Sequence, residues 1–347
     1  MYFKKILIAI ALIGLIIVGY FAFYIYSAMF VPNTAFNNSE AYIYVKSDAT
    51  YNDVRADLEP LLIDIETFDA LANQKKYTAN IKAGKYKIVK GMNNNDIINS
   101  IRSNNIPIRL SFNNQPSIQL LAGRIATQIE ADSISLLNSM TDEEFLTKTG
   151  FSSKTNLGMY LPNSYEFFWN TSADGFRDRM LKEYNRFWNE TRLNKAREIG
   201  LNPDKVMTLA SIVHEESKQR SEQPRIAGVY INRIKNKWPL QADPTLKFAA
   251  YQLPKFRNTV IKRVLNVHKE IDSPYNTYKN LGLPPGLIAM PDISAIEAVL
   301  NYEKHKYFYF AASADKPGYH KFAKTLSQHN QNAREYQRYL SKQGITK

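Results

Sequence analysis

The 347-residue sequence contains no cysteine. Disulfide frameworks, iron–sulfur clusters, zinc ribbons and thiol nucleophiles are therefore excluded. There is no P-loop, no G-x-G-x-x-G and no G-x-S-x-G elbow, so nucleotide binding and serine hydrolysis have no support. A zincin helix needs His at i and i+4. His214-Glu215-Glu216 begins like one, but Lys218 stands at the fourth position. His320 and His329 complete no visible ligand set, and neither metal nor cofactor is expected. Internal repeats and low-complexity segments are also missing. What is abundant is apolar and aromatic: 44% and 12% of residues, which rules out wholesale disorder.

Acidic residues are in deficit, 32 against 45 Lys and Arg, for a net charge of +13. The excess is not spread evenly. Residues 201–347 hold 23 basic and 12 acidic side chains, while residues 6–200 hold 20 of each. Lys4 and Lys5 supply the remainder. Two separate explanations are needed, one for the C-terminal portion and one for the extreme N-terminus.

Ile6 to Tyr26 carries no charge at all. At about 1.5 Å per residue, a helix of that length crosses the ~30 Å hydrocarbon core of a bilayer. Tyr20, Tyr24 and Tyr26 sit towards one end, as in an interfacial aromatic belt. A cleaved signal peptide would have a shorter apolar region and a small-residue cleavage site, whereas Tyr26-Ser27-Ala28 is bulky there. The segment reads as an uncleaved anchor. Lys4 and Lys5 place residues 1–5 in the cytoplasm by the positive-inside rule, and the rest of the chain outside it. Nucleic acid is then not an expected partner, and the charge suits an anionic extracellular polymer beside an anionic membrane surface.

Residues 27–40, with Pro32, Asn33, Asn37 and Asn38, read as a polar linker. Strand-like alternation over 41–46, helical patterns over 51–69 and 95–101, and strands over 84–89 and 106–112 make a small α+β module of residues 41–112. From 113 the pattern is mostly helical to about 200, including a long helix over 174–199. Residues 307–312 and 318–322 read as a hairpin, followed by a closing helix over 327–340. The fold class is α+β, with a transmembrane helix at 6–26 and a mixed, mainly helical domain at 113–347.

Asn202-Pro203 is a helix start, with Asn as N-cap and Pro at the first helical position. Apolar Val206, Leu209, Ala210 and Val213 form one row, and its continuation by three and four reaches Glu216 and Ser217. Asp204, Thr208, Ser211 and Glu215 occupy the opposite, polar face. Glu216 is thereby turned towards the core and Glu215 away from it. A carboxyl on an apolar face loses solvation and its pKa rises, as a general acid near neutral pH requires. The bland alternative is a structural glutamate paired with Arg225 or Arg233. A second amphipathic helix, 222–235, follows, with Ile226, Val229, Tyr230 and Ile234 inward. Beyond it the loop 238–245 and the segments 275–278 and 282–286 offer amides, hydroxyls and aromatic rings. Such groups suit sugars, although most of the aromatic residues must be core.

Several motifs in order resemble the MltG (YceG-like) endolytic murein transglycosylase family. They are Leu209-Ala210-Ser211-Ile212-Val213-x-x-Glu216-Ser217, Ala227 to Arg233, Leu240 to Thr245, Tyr275 to Tyr278, Gly282 to Ala289, His320-x-Phe322 and His329-Asn330. The likeness runs from the anchor nearly to the end and is densest over 205–330. Two departures stand out: His214 where many members have Glu, and Asn163 where an acidic residue is common. The resemblance implies a LysM-like module at 41–112 and a catalytic domain at 113–347. It implies Glu216 as catalytic residue. As substrate-binding residues it implies Ser217, Asn232, Arg233, Gln241, Asp243, Thr245, Asn276, Thr277, Tyr278, His320, His329 and Asn330.

The implied activity is cleavage of the β-1,4 bond between MurNAc and GlcNAc in peptidoglycan with formation of 1,6-anhydroMurNAc ends, terminating nascent strands without cofactor. The implied partners are peptidoglycan strands, the cytoplasmic membrane and, as candidates, cell-wall synthesis enzymes. The expected location is the cytoplasmic membrane, single-pass, with the catalytic domain on its extracytoplasmic side. Two rivals are a hydrolytic muramidase using Glu216 and Asp243, and a non-catalytic glycan-binding scaffold.

Overall fold

The computed structural model describes residues 2–257, 259–261 and 263–344. The chain is α+β and folds as two compact units. The first comprises residues 1–110 with 128–131 and 165–172; the second comprises 111–127, 132–164 and 173–347. The main division thus falls two residues before the expected boundary at 112. Two short later segments also return to the first unit, so the units interleave along the chain.

The first unit begins with α1 (Tyr2–Phe30). Its 29 residues are long and apolar enough to cross a membrane. The side chains of Tyr2 to Tyr26 are exposed, and only Ala28 is buried. From Ile6 to Tyr26 the exposed surface of this helix carries no charge, as a membrane anchor requires, because that much apolar surface is unfavourable in water. The helix runs four residues past Tyr26, its expected end.

Residues 27–40 are not the loose polar linker expected. Asn33 is buried and acts as a clamp. Its Nδ2 donates to Asp64 O (2.7 Å) and Asn94 Oδ1 (2.6 Å), and its Oδ1 accepts from Asp64 N (2.8 Å). Pro32 and Thr34 form isolated bridges to Asn93 and Leu62. Asn and Pro in sequence look like linker chemistry; here the amide bonds both ways because partners 31 and 61 residues on come within reach.

β1 (Glu40–Val45) pairs antiparallel with β2 (Gly84–Val89), from Glu40 opposite Val89 to Val45 opposite Gly84. Ile43 and Val45 point inward while Tyr42 and Tyr44 face out, the two-residue period of a half-buried strand. Against the inner face pack α2 (Tyr51–Leu58), α3 (Ile65–Gln74) and α4 (Asn94–Ser103), burying Val54, Leu58, Phe68, Leu71, Ile97, Ile98 and Ile101. α2 starts with a capping box of Thr50 and Asp53. β3 (Pro107–Phe112) and β4 (Asn163–Phe168) form another strand pair.

In the second unit come α5 (Ile118–Ala126), α6 (Ser133–Met140), α7 (Glu143–Thr149), α8 (Ala173–Phe187) and α9 (Glu190–Ile199). The helix expected over 174–199 is thus two helices. Asn189 breaks it: its side chain accepts from Arg192 N and starts α9 as an N-cap.

α10 (Pro203–Glu216) is the axis of this unit, packed against α9, α11 (Gln223–Lys235), α12 (Asp243–Tyr251) and α14 (Ile293–Leu300), with the one-turn α13 (Asn266–Lys269) between the last two in sequence. Every residue from Val206 to His214 is buried. Thr208 and Ser211, expected on a solvated face, lie inside. Ser211 Oγ donates to Thr208 O (2.7 Å) and accepts from Ile288 N (3.2 Å). A hydroxyl that returns its bonds to backbone can be buried at little cost. The expected hairpin forms as β5 (Tyr309–Ala312) and β6 (His320–Ala323), paired with Phe310 opposite Phe322, and α15 (Leu326–Lys342) closes the chain.

Gly228 is required for the α11 packing. A Cβ there would overlap the Glu303 carbonyl oxygen and His305 Nε2. The absent side chain lets segment 303–307 lie directly on α11, where Asn232 Nδ2 donates to His305 O and Tyr307 O (both 2.9 Å).

Candidate active site

α10 ends at Glu216. Its N-terminus is set by Asn202, whose side chain accepts from Lys205 N, with Pro203 following. Ser217, buried and extended, stops the helix. Its Oγ donates to Glu222 Oε2 (3.4 Å), and its carbonyl accepts from Gln223 Nε2 (3.0 Å). The turn between α10 and α11 is thereby fixed, and with it the direction of the Glu216 side chain.

Tyr230, on α11, donates its hydroxyl proton to Glu216 Oε2 at 3.2 Å. Its ring meets Phe310 of β5 edge-on at 5.9 Å. The two arginines that could have paired with Glu216 are engaged elsewhere. Arg225 binds Glu303 (2.9 Å), and Arg233 donates from Nε to Phe308 O (2.8 Å) and from Nη1 to Leu240 O.

The Glu216 pKa is pushed up to about 7. Burial is the largest cause; the neighbouring Asp243 carboxylate acts in the same direction. His320, the Tyr230 hydrogen bond and Arg233 pull the other way. Glu216 as a residue stays partly accessible, although its carboxyl is desolvated. Glu215, one step round the helix, is exposed and pairs with Lys218 at 3.3 Å. Burial also raises the Tyr230 and Tyr278 hydroxyls, which remain protonated donors at neutral pH.

Glu222 is a buried carboxylate that sequence reasoning passed over. It accepts from both the backbone N–H (2.7 Å) and Nδ1 (2.8 Å) of His320 at the start of β6. This ties the α10–α11 turn to the hairpin and holds His320 near the Glu216 carboxyl. A separation of 98 residues left no local signal of the pair. Tyr230 was legible only as an inward-facing helix position within a matching motif; nothing in the pattern showed its hydroxyl reaching Glu216.

The other expected site residues divide into two groups. Asn232, Arg233, Thr245, Asn276 and Thr277 bond the protein itself. Thr245 Oγ1 and Thr277 Oγ1 lie 2.8 Å apart; Ala242 N donates to Thr277 Oγ1 (3.0 Å) and Gln241 N to Thr277 O (3.0 Å). Asn276 Nδ2 donates to the carbonyls of Lys269 and Ile271. Together these bonds shape the 240–245 loop, in which Gln241 takes a left-handed φ of 47°. Gln241 and Asp243 are exposed at its tip, and Asp243 Oδ1 accepts from Tyr278 OH at 2.6 Å. His329 stacks on Tyr309 at 5.4 Å. Asn330 is exposed on α15.

One carboxyl of raised pKa, with a tyrosyl hydroxyl on one oxygen and a histidine held by its own acid nearby, can chemically both give and take a proton on this α+β scaffold. The chain belongs to the YceG-like family, whose model matches residues 43–335. It is 32% identical over 278 residues to an endolytic murein transglycosylase of Bacillus subtilis (strain 168), covering 75% of this chain and 74% of that protein. It is 26% identical over 301 residues to an endolytic murein transglycosylase of Streptococcus pneumoniae (strain R6), of whose length it spans about half (53%). Among solved structures, a YceG-like protein from Listeria monocytogenes superposes with a TM-score of 0.55 at 26% identity, covering 85% of this chain and 99% of that one.

Proposed function

We propose that this protein is a membrane-anchored endolytic lytic transglycosylase of peptidoglycan. The names of its relatives support the substrate and the reaction. The observation that carries the residue assignment is Glu216: a carboxyl with a pKa near 7 at the end of a rigid helix, with Tyr230 on one of its oxygens. Glu216 protonates the glycosidic oxygen between MurNAc and GlcNAc. The substrate's own acetamide stabilises the oxocarbenium-like state, so no second carboxylate is required. The resulting Glu216 carboxylate then takes the proton of the C6 hydroxyl, which closes the 1,6-anhydro ring. Proton and leaving group balance without water. Tyr230 holds the carboxyl in place through both half-reactions. Gln241, Asp243 and Tyr278 present polar groups to the sugars from the 240–245 loop, which Arg233, Thr245, Asn276 and Thr277 hold in shape.

α1 anchors the chain in the cytoplasmic membrane, with Lys4 and Lys5 inside and both units outside. Residues 41–112 serve as a LysM-like glycan-contacting module, and cell-wall synthesis enzymes are the partners this location favours. Digestion of purified glycan strands followed by mass spectrometry tests the reading. Anhydro ends, with no label taken up from H₂¹⁸O, are expected; reducing ends would instead assign hydrolysis with Asp243 as second carboxylate, and uncut strands a binding scaffold.

The pH profile is a further expected result. The first step needs Glu216 protonated, so kcat/KM falls as pH rises through about 7. The Tyr230 bond favours the carboxylate form, so Tyr230→Phe moves the inflection upward. A profile flat between pH 5 and 9 would assign the acid elsewhere.

A further inference from the structure

Beside the C-terminal turn of α10 lies a cavity of about 830 Å³ that reaches to α12 and is lined by Glu215 but not by Glu216. Its lining includes Glu215 and Pro244, the chain neighbours of Glu216 and Asp243. Successive residues on a helix project about 100° apart, so the cavity abuts the catalytic cluster without containing it. No assigned role uses it.

Its floor carries an unsatisfied donor. His214 is 5% exposed and lines the cavity. Lys218 Nζ lies 3.4 Å from His214 Nε2. An ammonium can only donate, so Nε2 is the acceptor and the neutral ring carries its proton on Nδ1. That Nδ1–H has no hydrogen-bond partner; Asp292 Oδ2, the nearest carboxylate, stands 3.7 Å away. A buried donor left unpaired is costly, and a ligand oxygen would recover that cost.

The lining carries three cations, Lys218, Arg220 and Lys247, against two carboxylates, Glu215 and Asp292. Lys218 pairs with Glu215 and Arg220 reaches Asp292 only at 4.0 Å, while Lys247 pairs with no carboxylate among the described residues. Phe248, Tyr251 and Ile288 supply an apolar wall. Cations, a lone N–H and an apolar wall select a ligand with free carboxylates and small apolar groups. Sugar rings have no carboxylate, and a lactyl group stripped of its peptide has one but no small apolar side chains; the peptide branches of peptidoglycan have both. The volume lies within the ~300–1,000 Å³ typical of sites that enclose small molecules, enough for a short peptide.

We propose that this cavity is a subsite for the carboxylate-bearing peptide branch of the glycan substrate, its carboxylate held by Lys247 and Arg220 and an oxygen accepting from His214 Nδ1–H. The proposal rests on the glycan-cleaving reading above. The full-length protein in detergent is assayed on glycan strands bearing their peptides and on the same strands stripped by an amidase. The wild-type chain is expected to prefer the peptide-bearing strands by about tenfold or more in kcat/KM, the scale of one charge-assisted hydrogen bond. Lys247→Glu combined with Arg220→Glu is expected to lose that preference while cutting stripped strands at the wild-type rate, and Lys247→Arg alone to keep it. Equal wild-type rates on both strands, or a double variant that retains the preference or loses both activities alike, overturn the subsite.

If the wild-type chain cuts neither strand, the glycan-cleaving reading fails, and binding decides the cavity by itself. The probe is N-acetylmuramyl-L-Ala-D-Glu, followed through the imidazole signals of the five histidines. A His214 shift that vanishes in the double variant supports the site; an unmoved His214 signal overturns it.

Discussion

Glu216→Gln is expected to abolish cleavage, lowering kcat on purified strands by roughly 10³-fold or more, since one proton-transfer group contributes about 10²–10⁴-fold and the proposed mechanism uses this one in both half-reactions. The amide keeps the shape and can still accept from Tyr230, so circular dichroism should be unchanged. The same substitution should raise stability in alkaline buffer. The folded pKa is raised, to about 7 from an ordinary value of 4.5. The native state therefore holds a proton that the unfolded chain releases. The stabilisation from that proton is complete below pH 4.5 and is lost as pH rises to about 7, where the desolvated site must carry a charge. Gln escapes the penalty. Relative to wild type, the variant should match at pH 4 and gain on the order of 1–2 kcal/mol at pH 8.5, allowing for the partial exposure of the residue. Urea unfolding at the two pH values measures it; an active variant sinks the acid assignment, and equal stability at pH 8.5 sinks the raised pKa.

Arg233→Met is expected to be the most damaging single change for the second unit, at about 3–5 kcal/mol. The guanidinium is buried and joins α11 to two elements at once, through Phe308 O before β5 and Leu240 O at the start of the 240–245 loop. Methionine fills much of the volume but leaves both carbonyls without a donor. Arg233→Lys, with one ammonium for two divergent carbonyls, should cost about half as much. Loss of the cation also removes a charge that favours the Glu216 carboxylate, so the pH inflection should move up in Arg233→Met. Urea unfolding gives the magnitude, and faster hydrogen exchange at residues 308–312 and 240–242 gives the location. A variant as stable as wild type would mean that these carbonyls find water instead.

Much of the local structure was legible from short-range pattern. The α10 start appears where capping placed it; the hairpin expected over 307–312 and 318–322 forms at 309–312 and 320–323, and the apolar run expected over 6–26 lies inside the longer α1. Errors arose where long-range partners change the meaning of a residue. Asn33 reads as linker and is a clamp. Thr208 and Ser211 read as a solvated face and are buried; the Ser211 hydroxyl bonds backbone rather than water. Asn189 lies within an unbroken helical pattern and acts as a cap that divides it.

The sequence by itself determined which carboxyl is set apart. The 3.6-residue period carries the apolar row of α10 to Glu216 and leaves Glu215 outside it, a local geometric fact that needs no partner. Only the tertiary structure decided what surrounds that carboxyl. Glu222 meets His320 across 98 residues, Tyr230 reaches Glu216 from the next helix, and Asp243 is brought close by a loop shaped from Thr277. These groups set how desolvated and how charged the site is, and a pKa is a sum over spatial neighbours, which spacing along a chain does not reveal.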